Sequence, residues 1–343
     1  AHLGVAAQFF LMRRRAEAYN RCISRKLIAE CRPDVVFIWN LQGLPQELAL
    51  DAEDEVGVAV AYWLAGYTPA EPDLFWRYWS QPPGKRAPLA RVKGVLGRMA
   101  LAQMQREGKP VRPQMRHVGV VSEYMRLKGL AEDTLPAHAE VIYNGVETDA
   151  FYRNVPAPEA SSPLRLLLAG RISPDKGIHF AVEALAQLAQ MRPQRDFHLV
   201  IAGRGPDGYV AQLMHLAQTL QVSDLVSFSG WLPRGQMPHL MHTCQILLLP
   251  TVHQEPFARV MLEAMAAGLA LVATTTGGTA ELLQDGVNGL ACAPADSQDL
   301  ARQIYRLLAA PDLRYRLACQ GQEDVLAHYT LDHMIEQVEN LLQ

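Results

Sequence analysis

The chain reads as an α/β protein built from two doubly wound parallel-sheet domains. Three observations predict this. Short continuous apolar runs such as LRLLLAG, FHLVIAG and CQILLLP recur along the chain, as strands buried on both faces should. Each is followed by a segment whose apolar residues repeat at helical spacing, and strand–helix alternation implies parallel sheets. At 343 residues the chain can carry two cores, and a proline-rich, small-residue stretch interrupts it near the middle.

Taken in order, residues 9–31 alternate basic and apolar positions at helical spacing and end before Arg32-Pro33. A buried strand is expected over 33–40, a helix over 44–55, and a second buried strand within 56–67. A third strand runs from 118 to Ser122 and gives way to a helix; a short strand and turn occupy 139–148. Residues 154–163 form a linker by composition. Beyond it come strands at 164–170, 197–203 and 226–231, separated by helices at 178–191 and 209–220. A short helix from Gln236 leads to a strand ending at Pro250. Glu255-Pro256 should open the next helix, with proline at its first position, where the missing N–H costs least. Phe257, Met261, Ala264, Met265 and Gly268 give that helix an apolar face. ALVATTT is the following strand. NGLACAP, a helix at 297–308 and two further helices complete the chain. The expected organisation is a first domain at 1–153, the linker, a second domain at 164–328, and a terminal helix at 329–343.

Composition excludes several classes. A net charge of −3 with charged residues at 20% gives no reason to invoke nucleic acid. Cys22, Cys31, Cys244, Cys292 and Cys319 are scattered without a C-x-x-C, so neither a zinc site nor a disulfide framework is indicated, and a reducing cytoplasm is expected. No run of about 18 apolar residues is present, and Arg13-Arg14-Arg15 follow an apolar stretch instead of preceding it, unlike a signal peptide. The chain starts at Ala1, as a fragment or processed chain would.

The chemistry concentrates around HQEPFARVMLEAMAAGLALVATTTGGTAEL. Glu255 and Glu263 follow the carboxyl end of a parallel strand, where open α/β sheets bind ligands. A carboxylate can accept both hydrogen bonds of a vicinal diol, as in a ribose or hexose; equally, an acid near a helix N-terminus can simply cap it. In LLLAGRISPDKG, Arg171 and Lys176 bracket a loop that opens a helix, an arrangement that suits a diphosphate or an ordinary surface loop. AGRGPDG is a literal G-x-G-x-x-G, but it follows the second strand of its domain and Pro206 removes an N–H, so it is not read as a dinucleotide fingerprint. Phe75, Trp76, Tyr78 and Trp79 could stack on sugar rings or form a loop core. Lys85, Arg86, Arg91, Lys93, Arg98, Arg106, Lys109, Arg112 and Arg116 face a single acid, Glu107. With Leu89, Val92, Leu96 and Met99 at helical intervals, this run fits either an anionic membrane surface or a solvated helix. No D-x-D is present and no histidine or aspartate spacing suggests a metal.

EPFARVMLE followed by GGTAEL resembles the E-x7-E signature of retaining GT-B glycosyltransferases, in the family 4 group that includes sucrose-phosphate-synthase-like and lipopolysaccharide or exopolysaccharide enzymes. RPDVVFIWN, VVSEYMR and VIYNGVETDAF resemble the first-domain segments of that family more loosely. The resemblance implies two Rossmann-like domains facing a cleft. It implies that Glu263 holds the nucleotide ribose, that Glu255 contacts the donor sugar, and that backbone around Phe257, Ala258 and Arg259 approaches sugar or diphosphate. G-R-x-x-x-x-K-G resembles the family's diphosphate clamp, which makes Arg171 and Lys176 the catalytic cations beside Glu255. Gly170, Gly203 and Gly205 would line the donor site, Trp231 and Leu232 would sit where backbone reads the base, though Trp231 is equally a core candidate, and Ser122 would face the donor. Alanine stands at 258 where the family often has glycine. The usual N-terminal strand and glycine-rich loop are missing, so the first domain reads as incomplete, and no first-domain catalytic histidine is assigned. The implied activity is metal-independent transfer, with retention, from a nucleoside-diphosphate sugar to a glycan or lipid-linked acceptor in cell-envelope polysaccharide or glycolipid synthesis, without a cofactor beyond that co-substrate. The basic run 85–116 would permit peripheral contact with the inner face of a membrane. A GT-B-shaped epimerase and a non-catalytic nucleotide-sugar-binding protein remain alternatives. A phosphorylase is disfavoured because no lysine follows Lys176, and a dehydrogenase because its fingerprint fails.

Overall fold

The computed structural model describes residues 2–40, 47–54, 58–67, 74–81, 90–107, 112–157 and 163–343. The chain divides into two compact units. One comprises residues 1–120, 126–141 and 338–343; the other comprises 121–125 and 142–337.

In the first unit, α1 (His2–Ala7) passes through one π-helical stretch, Gln8–Met12, into α2 (Arg13–Cys31). Arg32 ends α2 in the left-handed region, with its N–H on the Ile28 carbonyl, directly before Pro33. There follow β1 (Val35–Trp39), α3 (Glu47–Glu53), β2 (Ala59–Leu64), α4 (Leu74–Ser80), α5 (Ala90–Glu107), β3 (His117–Val120), α6 (Glu123–Ala131, whose first three residues belong to the other unit) and β4 (Glu140–Val141). The four strands pair in parallel in the order β1-β2-β3-β4. β1 was expected to be buried, but as an edge strand it is only partly covered, and Trp39 is 60% exposed. β2 lies inside the sheet and buries Tyr62, Trp63 and Leu64.

The aromatic run belongs to this unit's core. Trp79 and Phe9 are buried, and Phe9 lies edge-on to Phe75 at 5.3 Å and to Trp79 at 6.4 Å. Two α2 arginines converge on the fully buried Asp51 of α3, with Arg21 making two hydrogen bonds of 2.7 Å. The Arg21 hydrogen bond, against the cost of burial, draws the Asp51 carboxyl below its ordinary range.

Within the basic run, Lys85, Arg86, Leu89 and Lys109 lie outside the described residues, as do Leu41 and Gln42. α5 turns Lys93, Gly97 and Ala100 inward, with Lys93 Nζ 4.8 Å from the Tyr78 ring centre. Lys93 is therefore not part of a solvated basic face. Val92, Val95, Arg98, Met99 and Arg106 remain exposed. Glu107 pairs with Arg13 and Arg14 of α2; burial works against its charge, but hydrogen bonds from Arg13, Gln103 and Arg14 hold its pKa at about 2.

The second unit runs α7 (Thr148–Phe151), β5 (Leu164–Ala169), α8 (Ile178–Met191), β6 (Phe197–Ala202), α9 (Asp207–Thr219), β7 (Val226–Gly230), α10 (Met237–His242), β8 (Ile246–Leu249), α11 (Arg259–Ala266), β9 (Ala270–Thr274), β10 (Leu290–Cys292), α12 (Ser297–Ala309), α13 (Pro311–His328) and α14 (Leu331–Leu341). Its parallel sheet has the order β10-β9-β8-β5-β6-β7. Counted within the unit this is 3-2-1-4-5-6, with the switch point between β5 and β8. The core follows the predicted periodicities. α8 buries Ile178, Ala181, Val182, Leu185 and Leu188 against the alternate residues Leu164, Leu166 and Leu168 of β5. Asp296 caps α12 by accepting from Gln298 N and Asp299 N at 2.9 and 2.8 Å.

One expected boundary is wrong. α11 begins at Arg259, not at Glu255-Pro256. Glu255 is held extended by a parallel bridge to Gly277, and its carbonyl accepts from Gly278 N at 2.7 Å. The Pro256 carbonyl accepts from Ser122 Oγ at 2.7 Å. These tertiary bonds outweigh proline's preference for a first helical position. No helix among the described residues is long and apolar enough to cross a membrane.

Two glycines make the sheet's carboxyl end possible. At Gly203 (φ +152°) an added Cβ would lie 1.7 Å from the Gly170 carbonyl oxygen, and at Gly177 (φ +67°) it would lie 1.9 Å from that of Pro250. Gly203→Ala is expected to cost at least about 3 kcal/mol through strain and overpacking, read from chemical denaturation; a loss below about 1 kcal/mol would contradict this packing.

Candidate active site

The sequence-predicted donor residues all lie in the second unit, most of them on loops leaving the carboxyl ends of β5, β6, β7 and β8. Gly170 leaves β5 at φ +143°, and an added Cβ there would meet nothing within 4 Å, so the backbone is open on that side. The loop then makes a 3-10 turn at Pro174–Lys176, and Gly177 turns it into α8. Because Gly177 is pressed against Pro250 at the end of β8, Lys176 is carried to the next loop, where its ammonium pairs with Glu255. Glu255 is 7% exposed and also accepts from Thr251 Oγ1 at 3.2 Å.

Arg171 does not join that pair. Its side chain is 67% exposed and reaches Asp175 Oδ2 at 3.1 Å. Asp175 in turn fastens the two loops through its carbonyl, which accepts from Val252 N at 3.0 Å and Thr251 Oγ1 at 3.1 Å. Glu263 stands in the second turn of α11, largely covered, with Arg259 Nη2 at 3.9 Å. Burial raises the Glu263 pKa above its ordinary value, opposed by the charges of Arg259 and Arg234.

The other predicted residues divide. Gly203 and Gly205 serve backbone packing: an added Cβ at Gly205 would lie 1.9 Å from the Ile172 carbonyl oxygen, so both glycines seat the loop after β6 on the loop after β5. Trp231 is 63% exposed just beyond β7, which rules out the core role, and Leu232 beside it is partly covered. Phe257 and Ala258 are buried, with the Phe257 ring 5.4 Å from Tyr143 and 6.1 Å from Tyr329. Ser122 is fully buried; its hydroxyl is committed to the Pro256 carbonyl and accepts from Met125 N at 3.2 Å at the start of α6.

Sequence reasoning missed the residues that hold this arrangement. Thr251 and Asp175 position Glu255 and its loop. Thr274 Oγ1 donates to the Thr251 carbonyl at 2.7 Å, and Thr279 Oγ1 to that of Thr276 at 2.7 Å. Glu281 accepts from Glu123 N and Tyr124 N at 2.9 and 2.7 Å, capping α6. A threonine directly after a buried strand, as in LLLPT and ALVATTT, was the available signal. Among the described residues no three His, Cys, Asp or Glu side chains converge as a metal set.

Residues 155–324 match the family model of glycosyl transferases group 1. Among curated relatives, the lipopolysaccharide 1,2-N-acetylglucosaminetransferase of Salmonella typhimurium is 30% identical over 233 residues, spanning 63% of this chain and 60% of that protein. The glycogen synthase of Mycobacterium tuberculosis is 35% identical over 201 residues, 59% of this chain and 46% of that protein. The match thus spans less than two thirds of these relatives' length. Among solved structures, Anabaena HepE in complex with UDP and glucose superposes with a TM-score of 0.69 at 21% identity, over 93% of this chain and 80% of that one. Sucrose-phosphate synthase from Thermosynechococcus elongatus gives 0.70 at 20% identity, over 92% and 75%. The fold is therefore that of the GT-B glycosyltransferases, and the relatives are named as glycosyltransferases.

The raised pKa of Glu263 has a defined sign. A carboxyl whose folded pKa lies above its unfolded one contributes stability that is fully present below the unfolded pKa and lost as pH rises through the folded one. Glu263→Gln removes that dependence. Its melting temperature relative to wild type is expected to climb as pH rises above the ordinary glutamate range of about pH 4. A flat difference over that rise would show that Glu263 is not held against its charge.

Proposed function

We propose that the protein is a retaining, metal-independent glycosyltransferase that moves a sugar from a nucleoside-diphosphate sugar to a hydroxyl of a glycan or lipid-linked acceptor, in envelope polysaccharide or glycolipid synthesis. The observation that carries this reading is the Lys176–Glu255 pair at the β5/β8 switch point, beside the open backbone of Gly170. Paired with a buried carboxylate, the ammonium is held in one place and keeps donors for phosphate oxygens. Arg171 brings a second cation on the same loop, and α8 opens directly behind it. Glu263, eight residues beyond Glu255, offers a partly desolvated carboxylate to a ribose diol, where each hydrogen bond to a charged group contributes about 1.5–3 kcal/mol.

In the proposed reaction the bond between the anomeric carbon and the diphosphate oxygen breaks, and the electron pair leaves with the diphosphate. Arg171 and Lys176 stabilise that charge. The acceptor oxygen bonds to the anomeric carbon from the departing face, and its proton passes to a phosphate oxygen, so the scheme requires no protein base. Glu255 orients Lys176 and contacts the donor sugar.

Lys176→Ala is expected to lower turnover by about 10²–10³-fold while circular dichroism shows a retained fold; near-wild-type turnover by purified mutant would overturn the clamp. Thermal-shift screening with UDP, GDP, ADP and their sugars should single out one nucleotide, and its stabilisation should weaken in Glu263→Gln. No response to any nucleotide would remove the reading.

Val92, Val95 and Met99 beside Arg98 and Arg106 on α5 make an exposed apolar and basic face, and we assign it a peripheral contact with anionic lipid. Flotation with phosphatidylglycerol vesicles should carry the protein upward at low salt and release it at high salt. Flotation that ignores salt, or none, would remove the contact.

A further inference from the structure

At the opposite end of the second unit's sheet, a cavity of about 220 Å³ is lined by Arg153, Gln245, Gly268, Arg314 and Tyr315, among others. Gln245 and Gly268 precede β8 and β9, so the cavity sits at the amino ends of these strands, whereas Lys176 and Glu255 lie beyond the carboxyl ends. β8 alone is four residues long, which separates the two places by more than about 13 Å.

The polar lining is almost wholly donor. Arg314 is 7% exposed, and among the described residues its one hydrogen bond runs from Nη1 to the Leu307 carbonyl at 2.9 Å. Arg153 spends Nε on the Ala267 carbonyl at 3.2 Å, Nη2 on Cys244 at 3.3 Å and Nη1 on His242. Each guanidinium carries five N–H groups, so both retain donors. Gln245 uses its carbonyl to accept from Arg165 N at 2.9 Å, and its amide NH₂ has no acceptor among the described residues. Pro311 begins α13, an eighteen-residue helix whose N-cap Ala310 offers no side-chain oxygen, so the positive end of this helix also borders the cavity. No carboxylate among the described residues pairs with Arg153, which is partly covered, or with Arg314, which is buried. Burial lowers the pKa of both, as expected for cations without a counter-charge.

Two readings compete. The arginines also cap the carboxyl ends of α10, α11 and α12, through His242 and Cys244, Ala267, and Leu307, and those helix dipoles supply part of a counter-charge. Capping accounts for the bonds that are made. It does not account for two guanidiniums, a free amide and an uncapped helix N-terminus surrounding one cavity with no acid on its wall among the described residues. A ligand bearing several acceptor oxygens and negative charge satisfies all four at once.

We propose that this cavity is a second binding site, separate from the donor loops, for a small tetrahedral oxyanion: inorganic phosphate or the phosphoryl group of a phosphomonoester. Its volume suits a phosphate with a small substituent better than a nucleotide, and its described lining, unlike the Lys176 site, contains no acid.

The test uses the full chain and inorganic phosphate as probe, at constant ionic strength. Gln245→Glu keeps the oxygen that accepts from Arg165 N and places a carboxylate opposite the arginines. It is expected to raise the melting temperature and to abolish saturable phosphate stabilisation, because the internal anion replaces the external one. Lys176→Ala should leave that stabilisation intact. General salt effects act on both variants alike and cancel in the comparison. Saturable stabilisation equal in wild type and Gln245→Glu, or lost in Lys176→Ala, would place phosphate at the donor loops and overturn the proposal. So would the absence of any saturable response in wild type. Glucose 6-phosphate and glycerol phosphate in parallel identify the source: tighter binding than phosphate indicates a phosphomonoester, and equal binding indicates phosphate itself. Arg314→Gln gives an independent check by calorimetry, with at least a tenfold weaker phosphate affinity expected and an unchanged affinity overturning the assignment. These outcomes do not depend on the transferase reading, whose failure would show in the nucleotide screen alone.

Discussion

The second unit is organised by a carboxylate that cannot stay unpaired. Glu255 is almost removed from water, and burying a lone carboxylate costs several kcal/mol. Lys176 and Thr251 meet that demand. An exposed ion pair contributes about 0–1 kcal/mol, whereas removing one partner of a buried pair costs about 3–5 kcal/mol. With the Lys176 side chain 22% exposed and Glu255 at 9%, this pair lies toward the buried limit. The consequence is geometric. One salt bridge joins the loop after β5 to the loop after β8, and the Glu255 backbone joins the latter to Gly277 after β9. Three loops from neighbouring strands are thereby held in register around the switch point.

That register also needs backbones to pass closer than any side chain allows. Gly203 against Gly170, Gly205 against Ile172 and Gly177 against Pro250 are contacts between chain segments, not between chain and ligand. The G-x-G in AGRGPDG therefore earns its glycines from loop-on-loop packing. Gly170 differs, since its Cβ position is open. Within a single motif-rich region, one glycine leaves room above the sheet while three others close the structure beneath it.

Much of the second unit was legible because its signals are local. α8 was expected over 178–191 and spans Ile178–Met191, since apolar positions at i, i+3, i+4 and i+7 follow a left-handed glycine and end before Arg192. β5, β6 and β8 were read from apolar runs that only a doubly covered strand tolerates. The failures are places where tertiary contacts override local preference. Pro256 has the right chemistry to start a helix, but Glu255 pairs with Gly277 and delays α11 to Arg259. VVFIW reads as a central strand, but nothing in a strand's own sequence says that it will be last in the sheet. Lys93 looked like one more surface cation, yet the Tyr78 ring and the packing of α5 draw it inward. Thr251 left only its place directly after a buried strand, and Asp175 left no pattern, because a backbone carbonyl becomes informative only when the opposing loop is in view.

The two ends of this sheet treat positive charge in opposite ways, and the contrast bears on what each end is for. At the carboxyl end three cations rest on acids: Lys176 has Glu255, Arg171 has Asp175, and Arg259 has Glu263. Such pairs fix a cation's position while lowering its net field, so any anion approaching them must compete with carboxylates that are already there. In the proposed transfer reaction this would moderate affinity and favour orientation, which suits a site that has to release its product. At the amino end Arg153 and Arg314 rest on carbonyl groups, whose partial charges hold a guanidinium without neutralising it. There the field is compensated only in part, by carbonyl groups at helix ends, and the proposed anion would supply the rest. A fold that concentrates helix N-termini at one end of its strands and helix C-termini at the other would by itself draw anions only to the first. Arg153, Arg314 and the N-terminus of α13 counter that tendency at the second.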